Sequence, residues 1–377
     1  MITYVPAILL LATGMIYGAW RGTAYCWTQA YGQRVIGSRA FVVILGVDLF
    51  VLFAVFLLLF GLLPLFFRKL SQPGGRLLRP VEHPRLAALI DRIAKRLGTS
   101  TPDTVLLTPF DEAAIGDLDF RDETGELVRN HRTLFLGAGF VIHTSVAQFA
   151  TILCHELAHA VTGDTRMSKI TSRFFHSLAR QVGVYADEEG EQPDPESGWL
   201  SKAMYWLLKG YFYLFAYCYC KDDRHRESLA DRLAAEICGP QNTRDMLIRG
   251  HLVAYLPQLS IRELWQEYSQ NDLDISNLYE EHRRRWASLS KREREQAENK
   301  MFMEEPSPWS THPRLADRIK ALANVQTKEL TAPQPASTLF TGWDAIETDI
   351  TRELIEFGRS LYNQYLHELD IRTRIVN

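Results

Sequence analysis

Ala40 to Phe67 carries a single charged side chain, Asp48, and from Leu49 to Phe67 the sequence is apolar throughout apart from Gly61 and Pro64. A buried helix of a water-soluble domain rarely runs so far without a polar face. A second stretch, Met1 to Trp20, has no charge at all. A helix of that length spans about 30 Å, the thickness of a bilayer's hydrocarbon. Nothing basic precedes it, which argues against a secretory signal. Both stretches are read as transmembrane helices, over residues 1–20 and 40–67, forming an anchor over 1–67. Asp48 is then either an interfacial residue or a polar site within the membrane. The connecting loop carries Arg21, Arg34 and Arg39, against Arg68, Lys69, Arg76, Arg79 and Arg85 just past the second run. That bias puts the large C-terminal part in the cytosol.

The rest of the 377-residue chain is long enough to bury a sizeable core. With 42 basic against 45 acidic residues the net charge is −3, so nucleic acid is not an expected partner. Five cysteines, Cys26, Cys154, Cys218, Cys220 and Cys238, form no disulfide framework and suit a reducing compartment. Residues 68–80, with Gln72-Pro73-Gly74-Gly75, read as a juxtamembrane linker. From Pro84 the residues Leu86, Leu89, Ile90, Ile93 and Leu97 fall at helical spacing, with Gly98 as C-cap. Val105–Leu107 and Thr133–Leu136 read as strands separated by a polar stretch with a turn near Asp122–Gly125. A long helix starts near Ser145, where Gln148 completes a capping box. Asp187–Gly198 is an acidic loop. Trp199–Cys220 is aromatic but interrupted by Lys202, Lys209 and Gly210, and fits a third membrane helix, an interfacial helix or a core helix. Glu280–Lys300 reads as a solvated helix surface. The fold class expected is mainly α with a small β-sheet (α+β), and residues 326–377 form a helical extension with no catalytic motif.

His155-Glu156-Leu157-Ala158-His159 is an H-E-x-x-H sequence. On a helix, positions i and i+4 project from one face, so both imidazoles can reach one metal ion. Glu156 then borders the metal's open position, where it can take a proton from water. Leu153, Leu157, Ala160 and Val161 supply an apolar helix body. Further on, Arg224-His225-Arg226-Glu227-Ser228-Leu229-Ala230-Asp231 opens another helix in this reading. Glu227 and Asp231 again share a face. One carboxylate can bind zinc while the other accepts an imidazole N–H; alternatively both simply complement a helix N-terminus. Cys154, turned about 100° from His155, is a packed thiol rather than a ligand. Asp164 either ends the metal helix and orients a histidine or lies on the surface.

Jointly these motifs resemble the gluzincin metalloproteases, in particular the membrane-bound branch that includes the bacterial HtpX and the CAAX prenyl endopeptidase. The resemblance rests on H-E-L-A-H, on the R-x-R-E-x-x-A-D motif at Arg224, Arg226, Glu227, Ala230 and Asp231, and on Ser310-Thr311-His312-Pro313 with Arg318. It extends to His83-Pro84-Arg85-Leu86 and covers a metalloprotease domain over residues 81–325. It implies a zincin-like domain behind the two membrane helices, with one zinc per chain held by His155, His159 and Glu227. Glu156 would be the base for a water, and His312 and Arg318 would donate to the oxyanion. Pro313 at the first turn of a helix equally makes His312 a helix cap. Leu134-Phe135-Leu136-Gly137 matches the family's substrate-pairing edge strand only loosely. Protein substrates and the lipid bilayer are the partners implied. The location implied is a bacterial inner membrane with the catalytic domain facing the cytoplasm, and the HtpX side of the resemblance suggests membrane-protein quality control. The rival function is a non-proteolytic binding protein whose zinc only staples helices.

Overall fold

The computed structural model describes residues 75–121, 127–161, 198–271, 273–305, 310 and 312–376, with scattered positions between 13 and 52 and Gln192. The expected spans at 1–20 and 40–67, the turn at 122–125, the loop at 187–198 and Asp164 lie wholly or mostly outside the described residues. Among the described residues, no helix is long and apolar enough to cross a membrane. The chain divides into two compact units, Met1–Lys69 with Arg166–Tyr219, and Leu70–Thr165 with Cys220–Asn377. In the first unit Lys209 sits over the rings of Tyr205, Trp206 and Tyr213, 4.8 to 5.9 Å from their centroids.

The second unit is mainly helical around a four-stranded mixed sheet. Its strands are β1 (Arg76–Leu77), β2 (Thr104–Thr108), β3 (Ala113–Arg121) and β4 (Leu127–Gly137), in the order β1-β2-β4-β3. β2 runs parallel to β4 with Leu106 opposite Phe135, and β3 runs antiparallel to β4 with Ala113 opposite Leu136. The expected linker at 68–80 therefore contains β1, which pairs antiparallel with β2. Leu134–Gly137 belongs to an internal strand, as its buried Leu134 and Leu136 require, and the edge beyond it is β3. The sequence reading missed β3 because Gly116, Asp117 and Asp119 are poor strand formers; its pairing with β4 overrides that preference.

Helix α1 (Pro84–Leu97) starts on its proline and ends on Gly98, whose φ of 70° places it in the left-handed region. A short helix α2 (Ala138–His143) precedes α3 (Val146–Val161). The Ser145 hydroxyl accepts from the Gln148 N–H at 3.3 Å, while Gln148 Oε1 accepts from the Ser145 N–H at 3.1 Å, closing the expected capping box. Next comes α4, a single 40-residue helix from Trp199 to Cys238. No helix opens at Arg224, so Glu227 and Asp231 stand mid-helix, where a macrodipole role has no basis. Gly210 costs a helix only about 1 kcal/mol and does not break this one.

After α4 follow α5 (Pro240–Tyr255), α6 (Ile261–Gln270), α7 (Leu278–Ser288), α8 (Lys291–Met303), α9 (Leu315–Leu322) and α10 (Trp343–Val376). The charged run at 280–300 is thus two helices, split at Ser290 by a capping box with Glu293. It is not all solvated, since His282 is completely buried. The core joins Ile90 and Ile93 of α1, Leu134 of β4, Phe149 and Leu153 of α3, and Ile346 and Ile350 of α10. The C-terminal stretch is mostly non-helical before α10, and Ala336, Leu339, Phe340, Trp343, Ile346 and Ile350 along it belong to this core. Among the described residues, Cys154, Cys218 and Cys238 form no disulfide.

Candidate active site

The apolar body of α3 is buried at Leu153, Cys154 and Leu157, which fixes the rotation of the helix and turns His155 and His159 to one side. Their Nε2 atoms stand 3.3 Å apart. From α4, Glu227 brings Oε1 to 3.4 Å from His159 Nε2 and Oε2 to 3.6 Å from His155 Nε2. An ion bound at zinc–nitrogen and zinc–oxygen distances with tetrahedral angles needs donors about 3.3–3.4 Å apart. The triangle fits. Glu227 Oε2 makes no hydrogen bond of good geometry, although His312 Nδ1 and the Arg318 guanidinium lie 3.1 and 3.2 Å from it. Among the described residues, these three form the group able to hold a metal ion, and neither Cys154 nor His225 joins it.

Around the triangle lies a ring of charge. Asp231, one helical turn beyond Glu227, places Oδ1 3.1 Å from His155 Nδ1. Arg318 on α9 donates from Nε and its terminal nitrogen to the two Asp231 oxygens at 2.7 and 2.8 Å, and reaches Glu227 Oε2 at 3.2 Å. The Arg318 and Asp231 side chains are only 5% and 2% exposed, so the fork is committed to these carboxylates. Its oxyanion role, expected from the resemblance, therefore competes with two short charge-assisted bonds. His312 places Nδ1 3.1 Å from Glu227 Oε2 and is exposed. It caps no helix: α9 begins at Leu315 with Arg314 in the N-cap position, because Pro313 precedes the helix instead of opening it. Glu156 is half-buried, and its charge acts on both His159 and Arg318.

Burial opposes ionisation of Glu227, but the imidazoles of His159, His312 and His155 and the Arg318 guanidinium beside it hold its carboxyl well below the usual range. Burial is likewise outweighed at Asp231 by Arg318 and His155, which keep it anionic. Both carboxylates are thus charged when a cation arrives.

The structure also explains motif residues whose roles the sequence left open. Arg224 donates to the Ser310 carbonyl at 3.3 Å, and the Ser310 hydroxyl accepts from the His312 N–H at 3.2 Å, so α4 itself carries the His312 loop. Arg226, buried, pairs with Asp222 at 2.5 Å and Asp223 at 3.4 Å. His83 is buried, and its Nδ1 accepts the Thr341 N–H at 3.1 Å. A polar cluster away from the site, Asp111, His143 and His282, went unnoticed in the sequence because its members are dispersed singly among apolar residues.

The sequence pattern of Peptidase family M48 matches residues 125–326, more than half of the chain. The match takes in the zinc donors, Glu156, His312 and Arg318, and ends at residue 326, where the C-terminal extension begins. With the donor triangle formed by the residues of that pattern, the chain belongs to peptidase family M48, the zinc-dependent hydrolases of peptide bonds.

Proposed function

We propose that the protein is a membrane-anchored zinc endopeptidase cutting protein substrates at the cytosolic membrane face. The observation that carries the reading is the three-donor triangle of His155, His159 and Glu227 with the carboxylate of Glu156 on the same helix. A structural zinc is normally closed by four protein donors, whereas three leave a position for water or substrate. Zinc bound there supplies Lewis acidity, polarising the scissile carbonyl and acidifying a water. Glu156 takes the proton of the attacking water and returns it to the leaving amine. His312, anchored on Glu227 through Nδ1, keeps Nε2 for the oxyanion of the tetrahedral intermediate. Arg318 positions Glu227 and Asp231, and Asp231 holds the His155 ring in its tautomer. β3, at the sheet edge and packed beside α3, offers backbone groups to an extended substrate strand. The apolar runs before residue 68 and the arginine bias support the membrane setting, in which damaged membrane proteins are the substrates at hand.

Glu156→Gln tests the reading, because the amide keeps the shape but accepts no proton. The variant is expected to retain one zinc per chain and the fold while losing about 100- to 10,000-fold in hydrolysis. Comparing membrane proteomes of cells with active and variant protein then identifies substrates as fragments present only with the active form. Hydrolysis near the wild-type rate would remove Glu156 from the mechanism.

A further inference from the structure

The first N–H groups of a helix and its last carbonyls have no partner inside the helix. In the two helices that carry the zinc donors, several of these groups meet one short stretch of chain just past the family match. At the end of α4, the Thr327 hydroxyl donates to the Ala235 carbonyl at 2.8 Å, and the Leu330 N–H donates to the Cys238 carbonyl at 2.9 Å. At the start of α5, the Glu329 carboxylate accepts from the N–H groups of Gln241 at 2.8 Å and Asn242 at 3.2 Å. Gly239, with φ +101°, leaves the room that this carboxylate occupies, since a Cβ there would collide with it. The chain then crosses to α3. The Ala332 carbonyl accepts the Ala147 N–H at 3.1 Å, and the Gln334 carbonyl accepts the Val146 N–H at 2.7 Å. Farther on, Thr341 is received by His83.

We propose that residues 327–341 are a positioning strap that sets the register of α3 against α4, and thereby the spacing of the zinc donors. Within α3, helix geometry alone places His155 and His159. The distances of 3.4 and 3.6 Å to Glu227 depend on how the two helices are seated against each other. A slip of one residue moves a helix about 1.5 Å along its axis, nearly half of those distances. The strap grips α3 at its first turn, the end remote from its histidines, and α4 at its last, about two to three turns beyond Glu227. Pro333 and Pro335 limit its freedom, because each fixes φ and brings no N–H of its own. This role rests on the zinc site described above.

The test uses the full chain, loaded with zinc or with cobalt. Metal release to a chelator and the visible cobalt absorption are measured for wild type, Glu329→Ala, Glu329→Gln and the double variant Pro333→Gly with Pro335→Gly. Asn277→Ala serves as the control, since it removes the N-cap of α7, another helix of the same unit but off the strap. Expected is release about tenfold faster, with altered cobalt bands, in Glu329→Ala and in the proline double variant. Glu329→Gln, keeping one acceptor oxygen, falls between. Asn277→Ala lowers the melting temperature and leaves both metal readouts unchanged. Stoichiometric metal in the wild type checks the zinc site separately from the strap. Release from the strap variants no faster than from Asn277→Ala, at equal loss of melting temperature, overturns the proposal. Should Glu329→Ala fail to fold, the proline variant, which removes no hydrogen bond, decides alone.

Discussion

Arg318 and Asp231 form a nearly dry, two-pronged ion pair, and a pair of that kind behaves asymmetrically under mutation. Removing one partner leaves the other charge buried and uncompensated, at about 3–5 kcal/mol. Removing both with apolar residues of similar volume costs far less. Asp231→Leu and Arg318→Met are therefore each expected to destabilise the metal-free protein strongly, and the double variant to recover part of the loss in a denaturant titration. Zinc affinity gives the other half of the argument. Asp231 sits 3.1 Å from His155 Nδ1, so the double variant should regain stability without regaining affinity, which falls about 10- to 100-fold. Recovery of both together would reduce Asp231 to a structural residue.

At the level of elements, α2, α6 and α7 meet through a buried chain of polar groups. His282 Nδ1 donates to the Leu259 carbonyl, and its Nε2 stands 3.2 Å from His143 Nδ1. His143 Nε2 in turn lies 3.8 Å from Asp111 Oδ1, and Asp111 Oδ2 accepts the Ile261 N–H that opens α6. Burial, helped by Arg283 and Arg285, pushes His282 down to about 4, and burial with neighbouring charges holds His143 well below its ordinary value. Both rings are therefore neutral in the fold. Their stabilisation is complete above the unfolded value near 6.5 and is lost as pH falls toward 4, about 3 kcal/mol for His282. Asp111 acts in the opposite sense. Burial raises it to about 6, so its contribution is present below the unfolded value of 3.8 and is lost as pH rises through 6. Urea midpoints at pH 7 and pH 4.5 should fall markedly on acidification in the wild type and less in His282→Gln, whose amide can still donate to Leu259. Equal falls would take His282 out of the acid response.

For the whole molecule, the zinc site joins α3 to α4, so metal removal is a stability event as well as a loss of activity. Zinc at a thousand times its dissociation constant adds about 4 kcal/mol by mass action. Chelation is expected to lower the melting temperature of the wild type, with Glu227→Gln showing little difference between chelated and zinc-supplemented samples. What the sequence alone determined was local. The i, i+4 spacing of His155 and His159, the Ser145–Gln148 box, the Gly98 cap and the interior of α1 follow from helix periodicity and capping, which act over a few residues. The zinc donors, metal and family were legible for the same reason, because each motif is a short helical pattern. Tertiary structure decided whatever depends on partners far along the chain. Asp231 meets Arg318 across 87 positions, and β3 becomes a strand only against β4. Arg224 holds the His312 loop across 86 positions, and the C-terminal stretch reaches back to α3 and His83. Local preference carries no record of such contacts, since loop closure over long separations is compensated only when the whole core has assembled.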